Sequence, residues 1–219
     1  MPVALDVQVF FDFVCPWCAI GKRQLETALQ SLVRERPGIH STVAWHGLPL
    51  NPEIPRAGLS TRSFHRAQMG GDAAAAARQA HARESAREIG MEIDFDRIGV
   101  MPNTLAAHRL TQHIARTHGD PSAFIDALFD AHFVRGEHIG TPSVLARVAA
   151  RCGFDDRNLA WALAGSAQAD ALLLQSRERW RRKGVHGVPH FVFNGRSVAG
   201  IQSTGALAEA LRQAVARIA

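Results

Sequence analysis

Residues 3–23 read VALDVQVFFDFVCPWCAIGKR and carry the clearest pattern in the sequence. Its first part is an apolar, β-prone run without Gly or Pro, which predicts a buried strand over residues 3–13. The motif Cys15-Pro16-Trp17-Cys18 follows at once. Pro16 is tolerated in the first turn of a helix, because the N–H group that it lacks would be unpaired there. The stretch therefore predicts a strand that leads directly into a helix, with two cysteines at the junction.

The two cysteines predict redox chemistry. Cys15 would lie at the N-terminus of the helix, where unpaired N–H groups and the helix dipole stabilise a thiolate. Cys18 follows by nearly one helical turn, within reach of Cys15 for a disulfide. Because a Cys-x-x-Cys motif between a strand and a helix is typical of thiol–disulfide exchange, we expect Cys15 to exchange with substrate disulfides and Cys18 to resolve the mixed disulfide.

The rest of the chain returns to strands only at its end. A second strand is predicted over residues 42–50, and a series of helices over about residues 60–183 without a convincing strand. Two strands then flank an Asn194-Gly195 turn, and Ser203 or Thr204 caps a last helix. The predicted class is α/β, a thioredoxin fold with the order βαβ…ββα interrupted by an all-helical insertion domain. The thioredoxin-like domain would comprise residues 1–52 and 184–219, with the helix 168–183 packing on it, and the insertion domain residues 53–167.

Four segments resemble the DsbA-like branch of the thioredoxin superfamily, and within it the cytoplasmic FrnE-type oxidoreductases. They span nearly the whole chain: FFDFVCPWCAIGKR at residues 10–23, Asn103-Thr104 with Ala107-His108-Arg109, LFDAHF at residues 128–133, and GVPHF at residues 187–191. The resemblance implies a DsbA-like disulfide oxidoreductase or isomerase whose catalytic residues are Cys15, the exposed nucleophile, and Cys18, its buried partner.

The resemblance also implies which residues bind the substrate. Pro189 would be a cis-proline opposite the dithiol, and the backbone of Val188 would pair with an extended substrate segment by strand addition. Pro16 and Trp17 would belong to an apolar docking surface. His190 follows Pro189, where relatives commonly have Thr, and its imidazole could tune the dithiol or accept a proton.

Two positions depart from the pattern of the resembled proteins. Trp17 stands where the strong oxidants have His, so we expect a weaker oxidant, while the direction of electron flow stays open. Val9 stands where many thioredoxin-like proteins carry a buried carboxylate, six residues before the first cysteine. Whether Asp12 takes the place of that proton acceptor is left open by the sequence.

Three other functions are compatible with parts of this pattern. The alternative is a glutathione-dependent isomerase or transferase, resembling 2-hydroxychromene-2-carboxylate isomerases and kappa-class glutathione transferases. These usually have Ser at the first cysteine position, so the intact pair argues against them. A redox sensor without turnover is a third reading. A zinc site of the cysteine pair with His186 and His190 is disfavoured because Pro189 prevents a helical His-x3-His arrangement, and we expect no metal.

Composition and charge set the expected partners. The 219 residues contain no apolar run long enough to span a membrane and no basic, apolar leader, so a cytoplasmic location without membrane contact is expected. The net charge is +5, with a basic cluster at residues 177–183 but no motif for reading nucleic acid. The expected partners are protein or small-molecule disulfides. No cofactor is expected beyond the Cys15–Cys18 disulfide, with glutathione as a candidate co-substrate and His108 and Arg109 as candidate contacts for it, although a packing role is favoured for those two.

Overall fold

The computed structural model describes residues 3–154 and 159–217. Apart from one 3-10 turn at Phe95–Arg97, the elements follow the chain in this order: β1 (Val3–Phe11), α1 (Pro16–Glu35), β2 (Ile39–Gly47), β3 (Leu59–Ser60), α2 (Thr61–Gln68), α3 (Asp72–Glu88), β4 (Val100–Met101), α4 (Leu105–Thr117), α5 (Ser122–Phe133), α6 (Pro142–Arg151), α7 (Leu159–Ala164), α8 (Ala167–Arg182), β5 (His190–Phe193), β6 (Arg196–Ala199) and α9 (Thr204–Ala216).

The elements form two compact units. The sheet unit comprises Met1–Leu48 and Arg179–Ala219, and the helical unit comprises Pro49–Glu178. The division at Glu178 falls inside α8, so most of this helix belongs to the helical unit, whereas the sequence analysis assigned residues 168–183 to the thioredoxin-like domain. No helix in the described part of the chain is long and apolar enough to cross a membrane.

The sheet unit is built on four strands in the order β2-β1-β5-β6. β1 runs parallel to β2, and β5 and β6 are antiparallel to their neighbours. The turn between β5 and β6 contains Asn194 and Gly195, both with positive φ, as a tight hairpin turn requires. The βαβ…ββα order with a helical insertion confirms the predicted thioredoxin fold.

The two faces of the sheet are covered differently. Because side chains alternate along a strand, Leu5, Val7 and Val9 of β1 point to one face, where they form a core with α1 and α9. Phe10 points to the other face and packs with Leu48 and Val185. Burial on both faces explains why β1 is an almost continuous apolar run in the sequence.

The helical unit contains one feature that the sequence analysis did not predict. The two-residue strands β3 and β4 pair antiparallel, with Leu59 opposite Met101 and Ser60 opposite Val100. The expectation of no strand within residues 60–183 is therefore wrong at this point. Gly58 permits the pairing, since its φ is +79° and a Cβ there would lie 2.4 Å from Cγ1 of Val100. Strands of two residues are too short to leave an alternating pattern in the sequence.

Arg109 of α4 ties together several segments of the helical unit. Its guanidinium forms an ion pair with Asp170, and it donates to the carbonyls of Ala162, at 3.5 Å, and Leu163, at 3.4 Å. These carbonyls lie at the end of α7, where the helix itself offers no donors. A Cβ at Gly165 would lie 2.3 Å from Nη2 of Arg109, so the guanidinium needs glycine there. These contacts give Arg109 a packing role.

Replacing Asp170 by Asn should therefore destabilise the protein. Arg109 would stay buried without a counter-charge, and we expect the free energy of unfolding to fall by about 2 kcal/mol, less than the ~3–5 kcal/mol of a fully buried pair because Asp170 is partly exposed. Chemical denaturation of the full chain measures this loss. Arg56 also binds Asp170, at 3.0 Å, but is exposed, so Arg56→Ala should cost at most about 1 kcal/mol. Equal losses for the two variants would contradict the packing role.

Candidate active site

Cys15 and Cys18 lie at the N-terminal end of α1. Cys15 is the N-cap residue of the helix, and Pro16 occupies the first turn. The N–H of Cys15 donates to the carbonyl of Asp12, at 3.2 Å, and the N–H of Cys18 donates to the carbonyl of Cys15, at 3.0 Å. The two cysteines are therefore held where the helix dipole favours a thiolate, as the sequence predicts for this motif.

The Cys15 thiol lies against the loop that precedes β5. Its Sγ is 3.8 Å from the carbonyl oxygen of Val188, with the thiol as a weak donor. The peptide bond between Val188 and Pro189 is cis. All three cysteines of the chain lie in its described part and are free thiols.

The two thiols differ less in exposure than expected. Cys15 is 5% exposed and Cys18 2% exposed, so the expectation of an exposed Cys15 is wrong for this conformation. The carbonyl of Val188 lies over the Cys15 sulfur, which is one physical reason. A substrate disulfide must displace that contact or approach beside it before the Cys15 thiolate can attack it.

The pKa of the Cys18 thiol is raised well above its ordinary value. Burial is the main cause, and the hydrogen bond with Cys15, the charge of Cys15 and the charge of Asp12 act in the same direction. A backbone hydrogen bond from Asp12 acts against them. Cys18 is therefore a neutral thiol at physiological pH, and it must lose its proton before it can attack a mixed disulfide.

Asp12 is a buried acidic residue whose backbone is hydrogen-bonded to this thiol. It lies in the turn between β1 and α1, is fully buried, and acts electrostatically on Cys18. Val9, at the position where many related folds carry a carboxylate, packs instead in the core of the sheet unit. The structure thus places a buried acidic residue within electrostatic reach of Cys18, from a different point in the sequence.

Pro189 packs closely on the helix that carries the cysteines. A Cβ at Gly21 of α1 would lie 3.4 Å from Cγ of Pro189 and 3.2 Å from Cζ of Phe191. Glycine at position 21 therefore lets α1 approach β5. Pro16, Trp17 and Val188, the other residues expected to contact a substrate, are all partly exposed.

His190 is not brought to the dithiol helix. Because Pro189 and Phe191 face α1, the His190 side chain points to the opposite face of the sheet, where its ring lies 5.8 Å from that of Phe10. Burial, and secondarily the charge of His186, lowers the pKa of His190, so the ring is neutral at physiological pH. His190 therefore does not face the dithiol helix, and the binding of substrate by this residue stays a prediction.

A second buried charge near the cysteines was not singled out from the sequence. Lys22 lies one turn after Cys18 on α1, is 2% exposed, forms an ion pair with Glu26, and its Nζ is 5.4 Å from the centre of the Trp45 ring. Its spacing of four residues from both Cys18 and Glu26 was the available signal. Within residues 3–154 and 159–217, no three His, Cys, Asp or Glu side chains are grouped as metal ligands would be.

This geometry was compared with known proteins. A family model described as the DSBA-like thioredoxin domain matches residues 6–212. The chain belongs to this family. A crystal structure of the probable DsbA oxidoreductase SCO1869 from Streptomyces coelicolor is similar, with a TM-score of 0.82 and 26% identity over 96% of this chain and 89% of that one. The family match covers most of the chain and agrees with the thioredoxin fold described above.

Two further structures share the fold at lower identity. The cytosolic disulfide reductase DsbM from Pseudomonas aeruginosa, solved with GSH, has a TM-score of 0.61 and 19% identity, covering 97% of this chain and 96% of that one. A 2-hydroxychromene-2-carboxylate isomerase has a TM-score of 0.65 and 16% identity, covering 97% and 95%. Proteins that share this fold are thus named for different reactions. The fold alone does not identify the reaction, which depends on the residues of the site.

Proposed function

We propose that the protein is a thiol–disulfide oxidoreductase that exchanges the Cys15–Cys18 pair with protein or small-molecule disulfides. The observation that carries this proposal is the pair itself, held at the N-terminus of α1 with the Cys15 sulfur against the carbonyl of Val188. A helix N-terminus favours the thiolate of Cys15, and Cys18 is one turn away for resolution.

In the reductive direction the exchange has two steps. The Cys15 thiolate attacks one sulfur of the substrate disulfide, a mixed disulfide forms, and the first substrate thiolate leaves and takes up a proton from water. Cys18 then gives its proton to Asp12, and its thiolate attacks Cys15 Sγ. The second substrate thiolate leaves, and the Cys15–Cys18 disulfide remains. The substrate gains two electrons, the dithiol loses two, and oxidation of a substrate is the same sequence in reverse.

A redox titration tests the proposal. The purified protein is equilibrated in glutathione buffers of stepped potential, and its thiols are alkylated and counted by mass. We expect Cys15 and Cys18 to become oxidised together as one two-electron couple, whereas Cys152→Ser should leave the titration unchanged. A potential below that of cytosolic glutathione would indicate a reductase, and one above it an oxidant or isomerase. The absence of any reversible disulfide would contradict the proposal.

The setting of this activity is also a proposal. The segments described from the sequence favour a FrnE-type protein of the cytoplasm that needs no cofactor beyond its own dithiol. The name of DsbM, a cytosolic reductase solved with GSH, supports glutathione as a co-substrate. We propose glutathione as the reductant that returns the Cys15–Cys18 disulfide to the dithiol.

A glutathione-dependent isomerase is the second candidate, because a 2-hydroxychromene-2-carboxylate isomerase shares the fold over most of both chains. The two functions differ in their need for Cys18. Isomerisation of 2-hydroxychromene-2-carboxylate requires no resolving thiol, so turnover of this compound that persists in Cys18→Ser would favour the isomerase. We expect no such turnover, and loss of disulfide exchange in the same variant.

A further inference from the structure

The net positive charge of the protein comes from the residues of the sheet unit. Met1–Leu48 and Arg179–Ala219 contain eleven Lys and Arg against five Asp and Glu, a net charge of +6. Pro49–Glu178 contains fourteen against fifteen, a net charge of −1. The unit that carries the dithiol is therefore the basic one, although the chain as a whole is only modestly charged.

The densest part of this charge is the end of α8 with the residue that follows it, Arg179–Lys183, which we call the basic turn. Its four cationic side chains are all exposed: Arg179, Arg181, Arg182 and Lys183. Trp180 in their midst is partly buried and anchors the turn on the sheet, with its ring 4.8 Å from that of Phe10 and 5.0 Å from that of His46. The cations are thus fixed to the sheet unit.

The basic turn lies close to the dithiol along the chain. Only four residues lie between Lys183 and Val188, whose carbonyl is 3.8 Å from Cys15 Sγ. The five steps from Lys183 to Val188 span at most about 18 Å, so the backbone of Lys183 lies within about 24 Å of the thiol. By contrast, Arg34 and Arg36 lie at the far end of the 20-residue α1, about 30 Å from Cys15.

We propose that the basic turn selects protein disulfides whose cysteines are flanked by acidic residues, an inference that rests on the proposed function. A fixed cluster of cations beside a reactive group raises the local concentration of anionic substrates and speeds their association. Single exposed ion pairs add little affinity. The faster association should therefore raise kcat/KM and leave kcat, the turnover of bound substrate, unchanged. Because these cations are exposed, salt should remove the effect, since the Debye length is only about 8 Å at physiological ionic strength.

Matched peptides and matched variants test the proposal. Two synthetic peptides share one disulfide loop, flanked by glutamates in one and by lysines in the other. The double variant Arg182→Glu, Lys183→Glu removes charge from the basic turn, and the control Arg34→Glu, Arg36→Glu changes the unit's charge equally at the far end of α1. For the acidic peptide we expect kcat/KM to fall about tenfold in the first variant at low salt and less than about twofold in the control. High salt should abolish the difference, and the lysine peptide should not lose rate in either variant.

The outcomes separate this proposal from the proposed function. Hydroxyethyl disulfide, a small neutral substrate, should exchange at the same rate in the wild type and both variants, which shows that the dithiol and the fold are intact. A wild type that exchanges no disulfide contradicts the proposed function itself. Equal losses in the two double variants, or a salt-independent rate with the acidic peptide, would overturn the selection of acidic flanks. Glutathione disulfide is also an anion, and a loss confined to it would assign the basic turn to that small molecule and overturn the proposal for proteins.

Discussion

Replacing Cys15 by Ser should reduce disulfide exchange to the uncatalysed rate. Serine keeps the size of the side chain but supplies no thiolate, so neither the mixed disulfide nor the Cys15–Cys18 disulfide can form. Insulin reduction, followed by the turbidity of the precipitating B chain with glutathione as reductant, measures the loss. The matched control is Cys152→Ser. Cys152 lies in the helical unit, where burial raises the pKa of its thiol and its Sγ is 3.6 Å from the carbonyl of Ala123.

The same assay can contradict the mechanism. Insulin reduction that persists in Cys15→Ser would mean that another thiol attacks the substrate, and an equal loss in Cys152→Ser would implicate that residue. Because Cys15 is only 5% exposed, a serine hydroxyl buried there should lower the free energy of unfolding by about 1–3 kcal/mol, a loss that chemical denaturation can measure. Chemical denaturation of both variants therefore separates a lost nucleophile from a lost fold.

The sequence predicts the site where the signal is local. Cys15, Pro16 and Cys18 lie at the junction of a strand and a helix because of their order along the chain, and α1 begins at Pro16 as predicted. The strand before it ends at Phe11 and not at residue 13, because the turn that places Cys15 begins at the carbonyl of Asp12. The order of residues along the chain predicts that a strand is followed by a helix. It does not predict the residue at which the strand ends and the hydrogen-bonded turn begins.

The remaining features of the site depend on contacts between distant residues. The face to which His190 points follows from the packing of Pro189 and Phe191 on Gly21, which lie far apart in the sequence. The ring of Trp45 on β2 lies 5.4 Å from Nζ of Lys22 on α1, a contact between residues far apart in the sequence. The strands β3 and β4 need Gly58 and Val100 to meet across the helical unit. The spacing of apolar residues, with a period of 2 in a strand and 3.6 in a helix, predicts single elements. It does not show which distant residues come into contact.

The role of Asp12 is the second prediction, and it has two opposite outcomes. If Asp12 acted on Cys18 only through its charge, Asp12→Asn would lower the pKa of the Cys18 thiol and speed the resolution of the mixed disulfide, because that charge raises the pKa. If Asp12 accepts the proton of Cys18, the same variant should resolve the mixed disulfide about 10²-fold more slowly at pH 7. We expect the slower rate.

The measurement isolates the resolving step. Cys15 is loaded with 2-nitro-5-thiobenzoate as a mixed disulfide at low pH, the pH is raised in a stopped-flow cell, and release of the coloured thiolate reports the attack of Cys18. In Asp12→Asn the thiol must lose its proton to solvent, so the rate should rise with pH through the alkaline range and approach that of the wild type. Asp6→Asn replaces an exposed aspartate on β1, the strand that precedes Asp12, and as the control it should resolve like the wild type. Faster resolution in Asp12→Asn, with a lower pKa of Cys18 from pH-dependent alkylation, would show that Asp12 tunes the thiol but does not take its proton.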